Sequence, residues 1–316
     1  MTEYEVSTKH SRLYHTQAIA ARAKGIIENY LACDRQVTWD RKVKNIESPA
    51  RGTKNFNARH TLFIRAENDQ FEISLDASGD LLHKRGIKKN VGKAPLRENI
   101  AFAMFSAAGY SGKESLLDPM CGSGTFSIEG CMIKENIPPG FFRKFAFEQW
   151  PCFSQARWNH IKKKAEKAII PTKNTTLFAS DIDNKMLASL EKSLNAHNLN
   201  ASVKVFNKNF FDLNPDKLTE DKGLIVLNPP YGKRIGDDLK VTGDQKLTRN
   251  LKVTRKINIE SFFAKIGKHL KENFKGWRAG IVLPDKDLLS TLPFSASLTP
   301  VFHGGLEIFI ATGKIT

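Results

Sequence analysis

The spacing of hydrophobic and polar positions along the chain changes near residue 115. Beyond it, short apolar runs alternate with longer stretches in which apolar residues recur at helical spacing. The short runs predict strands at 115–117, 176–179, 202–206, 224–227 and 279–283. The longer stretches predict helices near residues 124–134, 184–197 and 257–274. This alternation favours an α/β fold, a mostly parallel sheet covered by helices on both faces, and the tail at 299–311 predicts a terminal antiparallel hairpin.

The first part of the chain has a different pattern. A helix is predicted at about 16–32, and extended segments are predicted at Val37–Trp39, Thr61–Arg65 and Phe71–Leu75. A further helix at 96–109 ends at a glycine, and residues 135–172 interrupt the later strand–helix alternation as an insertion. We therefore expect three parts, which are a small α+β region at 1–80, a basic linker and helix at 81–110, and an α/β domain at 111–316.

The composition excludes several classes of protein. With 41% hydrophobic and 26% charged residues, the 316-residue chain is neither disordered nor fibrous. It has no apolar run of about 18 residues, which a membrane helix requires, and its first residues do not have the pattern of a signal peptide. The four cysteines are scattered without a CxxC pair, which indicates neither a zinc site nor a disulfide framework and favours the cytoplasm. We expect no metal and no membrane partner, and nothing indicates the oligomeric state.

The charge points to a polyanionic partner. Lys and Arg number 49 against 33 Asp and Glu, a formal net charge of +16, which favours nucleic acid. The basic residues are concentrated in runs, and the segment 81–97 contains no acidic residue. These runs flank the motifs described next. The side chains expected to contact the nucleic acid are Lys84, Arg85, Lys88, Lys89, Arg97, Lys233 and Arg234.

A glycine-rich loop follows the first strand of the α/β part. The segment 116–125, LLDPMCGSGT, is an apolar strand that ends in Asp118 and continues through small residues into a helix. Gly122 and Gly124 allow a sharp turn and a close approach to a ligand. A helix that begins there offers free N–H groups to an anion. The loop has neither the third glycine of a dinucleotide fold nor the G-K-[ST] of a P-loop, so it is typical of neither class.

Polar residues also end the next two strands. Asp181 ends the second strand, where a carboxylate can accept hydrogen bonds from both hydroxyls of a ribose. Asp183 is interpreted as the N-cap of the following helix. After the third strand, Asn209 and Phe210 lie where they can contact an adenine edge.

The most specific motif is Asn228-Pro229-Pro230-Tyr231, directly after an apolar strand. The prolines fix the backbone at the strand exit, because each fixes its own φ. The Asn228 side chain and the Pro229 main chain then present two carbonyl acceptors to one place, which suits an exocyclic NH₂ group. Tyr231 supplies a ring on which an extruded base can stack. We therefore predict that these four residues are the catalytic residues of a methyl transfer to an amine.

These motifs carry a family resemblance. In this order, DPMCGSGT, SDID (180–183) and NPPYG resemble the Rossmann-type S-adenosylmethionine-dependent amino-methyltransferases. SRLYHT (11–16), FEISLDASGDLLHKRG (71–86) and APLRE (94–98) resemble the THUMP-linked RNA methylases, within them the bacterial enzymes that methylate N2 of a guanosine in 23S ribosomal RNA. The resemblance covers nearly the whole chain. It implies a Rossmann-like sheet, S-adenosyl-L-methionine as cofactor, ribosomal RNA as partner, and a THUMP-like region at 1–80.

The resemblance also implies a set of donor-binding residues, with the amino-acid end of the donor over the glycine-rich loop and its ribose on Asp181. Where the family usually has Asp, this chain has Asn209, whose amide oxygen still accepts a hydrogen bond. The THUMP-like region is shorter than in the family. The full set is Lys93, Ala94, Pro95, Asp118, Pro119, Met120, Cys121, Gly122, Ser123, Gly124, Thr125, Asp181, Ile182, Asn209, Phe210 and Asn228.

Three other functions stay open at this point. The NPPY motif is shared with enzymes that methylate N6 of adenine in DNA or transfer RNA, and N2 methylation of transfer-RNA guanine is a second alternative. A non-enzymatic RNA-binding factor on the same scaffold is the third. The intact glycine-rich loop and the NPPY motif argue against a non-enzymatic factor, because a binding module needs neither.

Overall fold

The computed structural model describes residues 2–33, 60–88, 96–150, 152–172, 174–230 and 245–316. These residues form two compact units. The first contains residues 1–82 and 143–161, and the second contains residues 83–142 and 162–316. The first unit is therefore discontinuous in sequence, because a segment from the predicted insertion belongs to it. None of the described helices combines the length and the apolar composition that a membrane span requires.

The first unit contains a three-stranded sheet and a helix. Its elements are β1 (Thr2–Lys9), α1 (Thr16–Cys33), β2 (His60–Glu67) and β3 (Gln70–Leu75). β1 pairs with β2 in parallel, and β2 pairs with β3 in antiparallel orientation. The β2–β3 turn uses Asn68 and Asp69, both at positive φ, which is the conformation that a tight hairpin of this kind requires. The Asp69 carboxylate also accepts hydrogen bonds from the backbone and guanidinium of Arg12, each at 2.7 Å.

The segment 143–161 attaches to this unit through backbone carbonyls. Arg143 donates to the carbonyls of Ser78, Asp80 and Leu81 and lies over the ring of Phe145. The Phe147 ring packs edge-on against Trp158 at 5.0 Å between centroids. The helix α4 (Gln155–Lys167), which the sequence pattern did not predict, begins here.

The second unit is built on a seven-stranded sheet. Its strands are β4 (Leu116–Asp118), β5 (Leu177–Asp181), β6 (Val203–Asn207), β7 (Leu224–Leu227), β8 (Arg278–Leu283), β9 (Ser297–His303) and β10 (Leu306–Lys314). Its other helices are α2 (Glu98–Ala107), α3 (Thr125–Lys134), α5 (Asn184–Ala196) and α6 (Gln245–Asn273). The strand order is β6-β5-β4-β7-β8-β10-β9, parallel from β6 to β8 and antiparallel at β10 and β9. The predicted sheet with its terminal hairpin is confirmed.

Alternation along the central strands divides the core into two layers. In β7, Leu224 and Val226 pack with the face that α2, α3 and α5 cover, whereas Ile225 and Leu227 pack with the face that α6 covers. All four are fully buried. Because both faces are covered, the strand reads as a continuous apolar run and not as an alternating one. The sheet order reverses between β4 and β7, so a crevice opens at their carboxyl ends, where open α/β sheets bind ligands.

Three elements differ from the sequence prediction. β1 is a strand that the pattern did not predict, α4 is a helix within the insertion, and α6 begins twelve residues before the predicted helix at 257. The predicted strand at Val37–Trp39 lies outside the described residues.

Candidate active site

A cavity of about 610 Å³ lies at the carboxyl ends of β4, β5, β6 and β7 in the second unit. The loops after these strands supply most of its wall, and α3, α5, α6 and Leu96, which precedes α2, supply the rest. The sequence placed its candidates at four separate strand ends, and the sheet brings them together. The lining residues are Leu96, Pro119, Met120, Cys121, Gly122, Ser123, Thr125, Phe126, Asp181, Ile182, Asp183, Met186, Asn209, Phe210, Phe211, Asn228, Pro230 and Phe262.

The glycine-rich loop has two glycines with different roles. Gly122 has φ +51°, and a Cβ on it would meet nothing within 4 Å, so it borders open space. Gly124 is the N-cap of α3 with φ +75°, and a Cβ on it would lie 2.3 Å from a methyl carbon of Leu190. Gly122 therefore leaves room on the cavity side, and Gly124 lets α3 pack closely against α5. Gly124 itself does not line the cavity.

Asp181 is held by the backbone on both carboxylate oxygens. Oδ2 accepts a hydrogen bond from the Gly122 N–H at 2.8 Å, and Oδ1 accepts one from the Asp183 N–H at 3.0 Å. Each carboxylate oxygen retains acceptor capacity. The side chain is thus fixed in the cavity wall and can accept hydrogen bonds from two neighbouring hydroxyls. Ile182 is beside it, 71% exposed, and offers an apolar surface.

Asn209 and Phe210 line the cavity as the sequence predicted, but the oxygen of Asn209 already has a partner. Asn209 is the N-cap of a short 3₁₀ helix at Phe210–Asp212, and its side-chain oxygen accepts from the Phe211 N–H at 3.0 Å. The Phe210 ring is buried against His269 of α6. Because an amide oxygen has two lone pairs, Asn209 can accept one further hydrogen bond.

Asn228 stands at the end of β7 with an unused acceptor. Its side-chain oxygen is buried and has no hydrogen-bond partner in the described part of the chain. A buried carbonyl without a partner costs about 1–3 kcal/mol, so such an atom in a cavity wall indicates a ligand donor. Pro230 lines the cavity beside it, whereas Pro229 does not. Tyr231 lies outside the described residues, as do Lys93, Ala94 and Pro95.

Asp118 was predicted to bind the donor, and the structure places it behind the cavity wall. The residue is 1% exposed, and its Oδ2 accepts hydrogen bonds from the backbone N–H and the hydroxyl of Ser127 in α3. Burial raises the pKa of Asp118 to about 7. The residue therefore anchors α3 to β4 and does not line the cavity.

Cys121 lines the cavity with a thiol that stays protonated. Burial raises the pKa of this thiol well above its usual value, and the nearby carboxylates of Asp118 and Asp181 add to the effect. A thiolate is the reactive form of cysteine, so this residue is not a nucleophile at neutral pH. Within the described residues, no group of three His, Cys, Asp or Glu side chains is arranged to hold a metal.

Arg85 and Lys88, which were predicted to contact nucleic acid, lie in buried ion pairs. The Arg85 guanidinium donates to both oxygens of Glu129, at 2.8 and 3.1 Å, and its side chain is 10% exposed. Lys88 is 6% exposed and pairs with Glu98 at 2.9 Å. Buried charges occur only with a compensating partner, and these two cations use theirs inside the protein.

The remaining basic candidates divide into two groups. Lys84 and Arg97 are exposed, so they stay predictions as nucleic-acid contacts. Lys89, Lys233 and Arg234 lie outside the described residues.

Several lining residues had no signal in the sequence. Phe262 belongs to α6, thirty-four residues after Asn228 in the chain, and its ring packs edge-on to Phe211 at 6.1 Å. Met186 lies in the first turn of α5, and Leu96 lies two residues before α2. An apolar residue on a helix looks like any core residue until the fold places it, so none of the three could be selected from the pattern.

Comparison with known families shows which kind of domain contains the cavity. Residues 85–254, more than half of the chain, match the family described as UPF0020, RMKL-like, methyltransferase domain. The chain belongs to this family. The matched range begins at the buried cation Arg85 and contains the glycine-rich loop, Asp181 and Asn228, so the cavity lies in a methyltransferase domain.

Full-length relatives share part of their length with this chain. The protein slr0064 of Synechocystis sp. is 34% identical over 237 residues, which is 74% of this chain and 56% of that protein. The ribosomal RNA large subunit methyltransferase K/L of Saccharophagus degradans is 32% identical over 262 residues, 79% of this chain and 32% of the relative. The same enzyme of Shewanella amazonensis is 31% identical over 241 residues, 74% and 31% of the two chains. The chain thus spans between just under a third and just over half of the length of these relatives.

Solved structures support the fold. A crystal structure of SMU.472 with bound SAH has a TM-score of 0.76 at 24% identity and covers all of this chain and 75% of the other. A possible methylase from Clostridium difficile 630 has a TM-score of 0.78 at 22% identity, with the same coverage. The Rossmann-like methyltransferase architecture that the sequence predicted is confirmed.

Proposed function

We propose that the chain transfers a methyl group from S-adenosyl-L-methionine to the exocyclic N2 of a guanosine in 23S ribosomal RNA. The observation that carries the proposal is the unpartnered, buried Asn228 oxygen at the end of β7, in the wall of the cavity of a methyltransferase domain. The ribosomal RNA large subunit methyltransferases K/L among the relatives favour this substrate.

The cavity fits the donor in three places. Asp181, already oriented by two backbone N–H groups, would accept from the ribose hydroxyls. Ile182 would contact the adenine with apolar surface, the Phe210 N–H would reach the adenine ring, and the start of α3 would bind the carboxylate. The SMU.472 structure holds SAH, the product form of this donor, on the same fold. When bound, the donor supplies an electrophilic methyl group.

Asn228 would act on the acceptor amine. Its oxygen accepts one amine hydrogen, and the main-chain carbonyl of Pro229 accepts the other, so the nitrogen lone pair is turned towards the methyl group. An amine whose hydrogens are both engaged is a better nucleophile, because its lone pair conjugates less with the ring. No strong base is required in advance, since the nitrogen loses a proton readily only once it carries the methyl group.

Exposed cations would hold the RNA. We propose Lys84 and Arg97 as phosphate contacts near the cavity, and we propose that the region 1–80 of the chain is THUMP-like and docks RNA. Phosphate contacts make affinity fall steeply with salt. A base must leave its stack to reach a cavity of this kind, so the target is expected in a loop or at a helix end.

Methyl transfer onto ribosomal RNA tests the proposal. The purified protein is incubated with labelled S-adenosyl-L-methionine and with total RNA or DNA from a strain that lacks the corresponding gene. The 23S and transfer RNA are then separated, and their digested nucleosides are identified by mass spectrometry. N2-methylguanosine is expected. N6-methyladenosine, or label in transfer RNA alone, would assign the domain to another substrate, and no transfer to any nucleic acid would overturn the proposed activity.

A further inference from the structure

Lys88 has an environment that its place in a basic run does not suggest. Its ammonium lies 2.9 Å from Glu98 Oε1 and donates to Thr125 Oγ1 at 2.8 Å. Both charged side chains are nearly buried, 6% and 12% exposed. A buried lysine with two partners on two different helices is a built feature, and it links α2 to α3.

The partners of Lys88 belong to the cavity wall. Thr125 is the first residue of α3 and lines the cavity, and its hydroxyl donates to the carbonyl of Leu96 at 3.3 Å. Leu96 also lines the cavity. The Lys88 ammonium therefore fixes the rotamer of Thr125, and through it the distance between two lining residues.

The location is also electrostatically unusual. The N-terminus of a helix carries partial positive charge, so a cation beside it is unfavourable unless anions lie close by. Glu98 is one such anion. Arg85 and Glu129, one turn further along α3, neutralise each other. Asp118 already accepts a hydrogen bond from the Ser127 N–H at this end of α3. The N–H groups of Thr125 and Phe126, together with the nearby ammonium, favour one more anion at this point. Lys88 also lowers the pKa of Asp118, against the larger effect of burial, so its charge acts at the end of β4.

We propose that Lys88 is a positioning residue for the methyl donor. Held by Glu98, its ammonium fixes Thr125 at the start of α3 and adds positive potential where the donor's carboxylate binds. The inference rests on the donor named in the proposed function, and it does not depend on which RNA is methylated. It also replaces the expectation from the sequence that Lys88 contacts RNA.

The variants must separate this role from folding. Lys88→Met alone leaves Glu98 buried without a partner, so the informative variant is Lys88→Met/Glu98→Gln, which removes both charges and keeps similar volumes. Glu98→Gln alone is the first control. Lys268→Met/Glu272→Gln, which removes an exposed ion pair of α6, controls for the loss of one charge of each sign.

Calorimetry with two ligands tests the role. S-adenosylhomocysteine has the amino-acid group, and 5′-methylthioadenosine lacks it. We expect the double variant to bind S-adenosylhomocysteine about tenfold more weakly, the factor for one lost charge-assisted interaction, and to bind 5′-methylthioadenosine as the unaltered protein does. Lys268→Met/Glu272→Gln should change neither affinity.

Two outcomes would overturn the inference. An equal loss of affinity for both ligands would mean that Lys88 only supports the fold. Unchanged binding of both ligands, with weaker binding of RNA, would return Lys88 to the nucleic-acid surface. Because both ligands are measured without RNA, a failure of the proposed substrate leaves this result independent.

Discussion

Replacing Asn228 by Ala should separate activity from stability. The side-chain oxygen has no partner in the described part of the chain, so the substitution breaks no hydrogen bond to that atom. It also removes a buried, unpaired carbonyl, whose burial costs about 1–3 kcal/mol. We therefore expect the free energy of unfolding to stay the same or to rise. In thermal unfolding, each kcal/mol corresponds to about 2–4 °C in Tm for a domain of this size.

The same substitution should lower the catalytic rate strongly, although it does not lower stability. Removing one preorganised hydrogen-bonding group at a reacting centre typically lowers kcat by about 10²–10³-fold. Single-turnover transfer of a labelled methyl group at saturating donor measures this step. Binding of S-adenosylhomocysteine should change little, because Asp181 and the loop at 119–123 are unaltered.

Asn207→Ala is the matched stability control. Asn207 also ends a strand, but its side-chain N–H₂ donates to the carbonyls of Asp181 and Ile182 at 3.0 and 3.2 Å. Its removal should lower stability by about 1 kcal/mol. If Asn228→Ala destabilises the protein as much as Asn207→Ala, or keeps kcat within tenfold of the unaltered enzyme, the assignment of an unused acceptor is wrong.

Three further predictions concern the support of the site. Arg85→Met leaves Glu129 buried and unpaired and should cost about 3–5 kcal/mol in urea unfolding; a loss below 1 kcal/mol would show that the pair is solvated. Gly124→Ala places a Cβ 2.3 Å from a methyl carbon of Leu190 at φ +75°, so Tm should fall by several degrees, and an unchanged Tm would contradict this packing. Because the pKa of Asp118 is raised from 3.8 to about 7, folding favours its protonated form, and its contribution to stability is lost as pH rises from about 4 to 7. Asp118→Asn should flatten this dependence, measured as Tm against pH, and an unaltered slope would assign it to other groups.

The fold of the second unit could be predicted because its strands are buried on both faces. Leu224–Leu227 is a continuous apolar run, and such runs alternate with amphipathic helices in a way that few other folds produce. β1 could not be recognised, because the side chains of residues 3–9 are exposed or only half-buried and its sequence TEYEVSTK contains no apolar run. α4 was missed for a similar reason, since none of its residues is fully buried and hydrophobic periodicity carries little information there.

Site residues could be selected from the sequence where a polar or glycine residue follows directly on a predicted strand. A strand end followed by glycine or proline indicates a loop that approaches a ligand, which located Gly122, Asp181 and Asn228. The charge run at 81–97 did not show which of its cations are buried, because charge alone carries no information on burial. The partner of Arg85 lies 44 residues later in the chain, and no local pattern reveals such a pair. Phe262 required the packing of α6 to become visible.

The discontinuous first unit has a consequence for modular exchange. Its sheet residues end at 82, while the segment 143–161, which Arg143 and the aromatic side chains attach to it, follows sixty residues of the second unit. A single cut after residue 82 would remove Trp158 and its ring partners from the unit that they complete. Transplanting this unit between proteins therefore requires junctions at 82–83, 142–143 and 161–162. A chimaera made with one crossover after residue 82 would combine residues 1–82 of one protein with the aromatic segment 143–161 of the other.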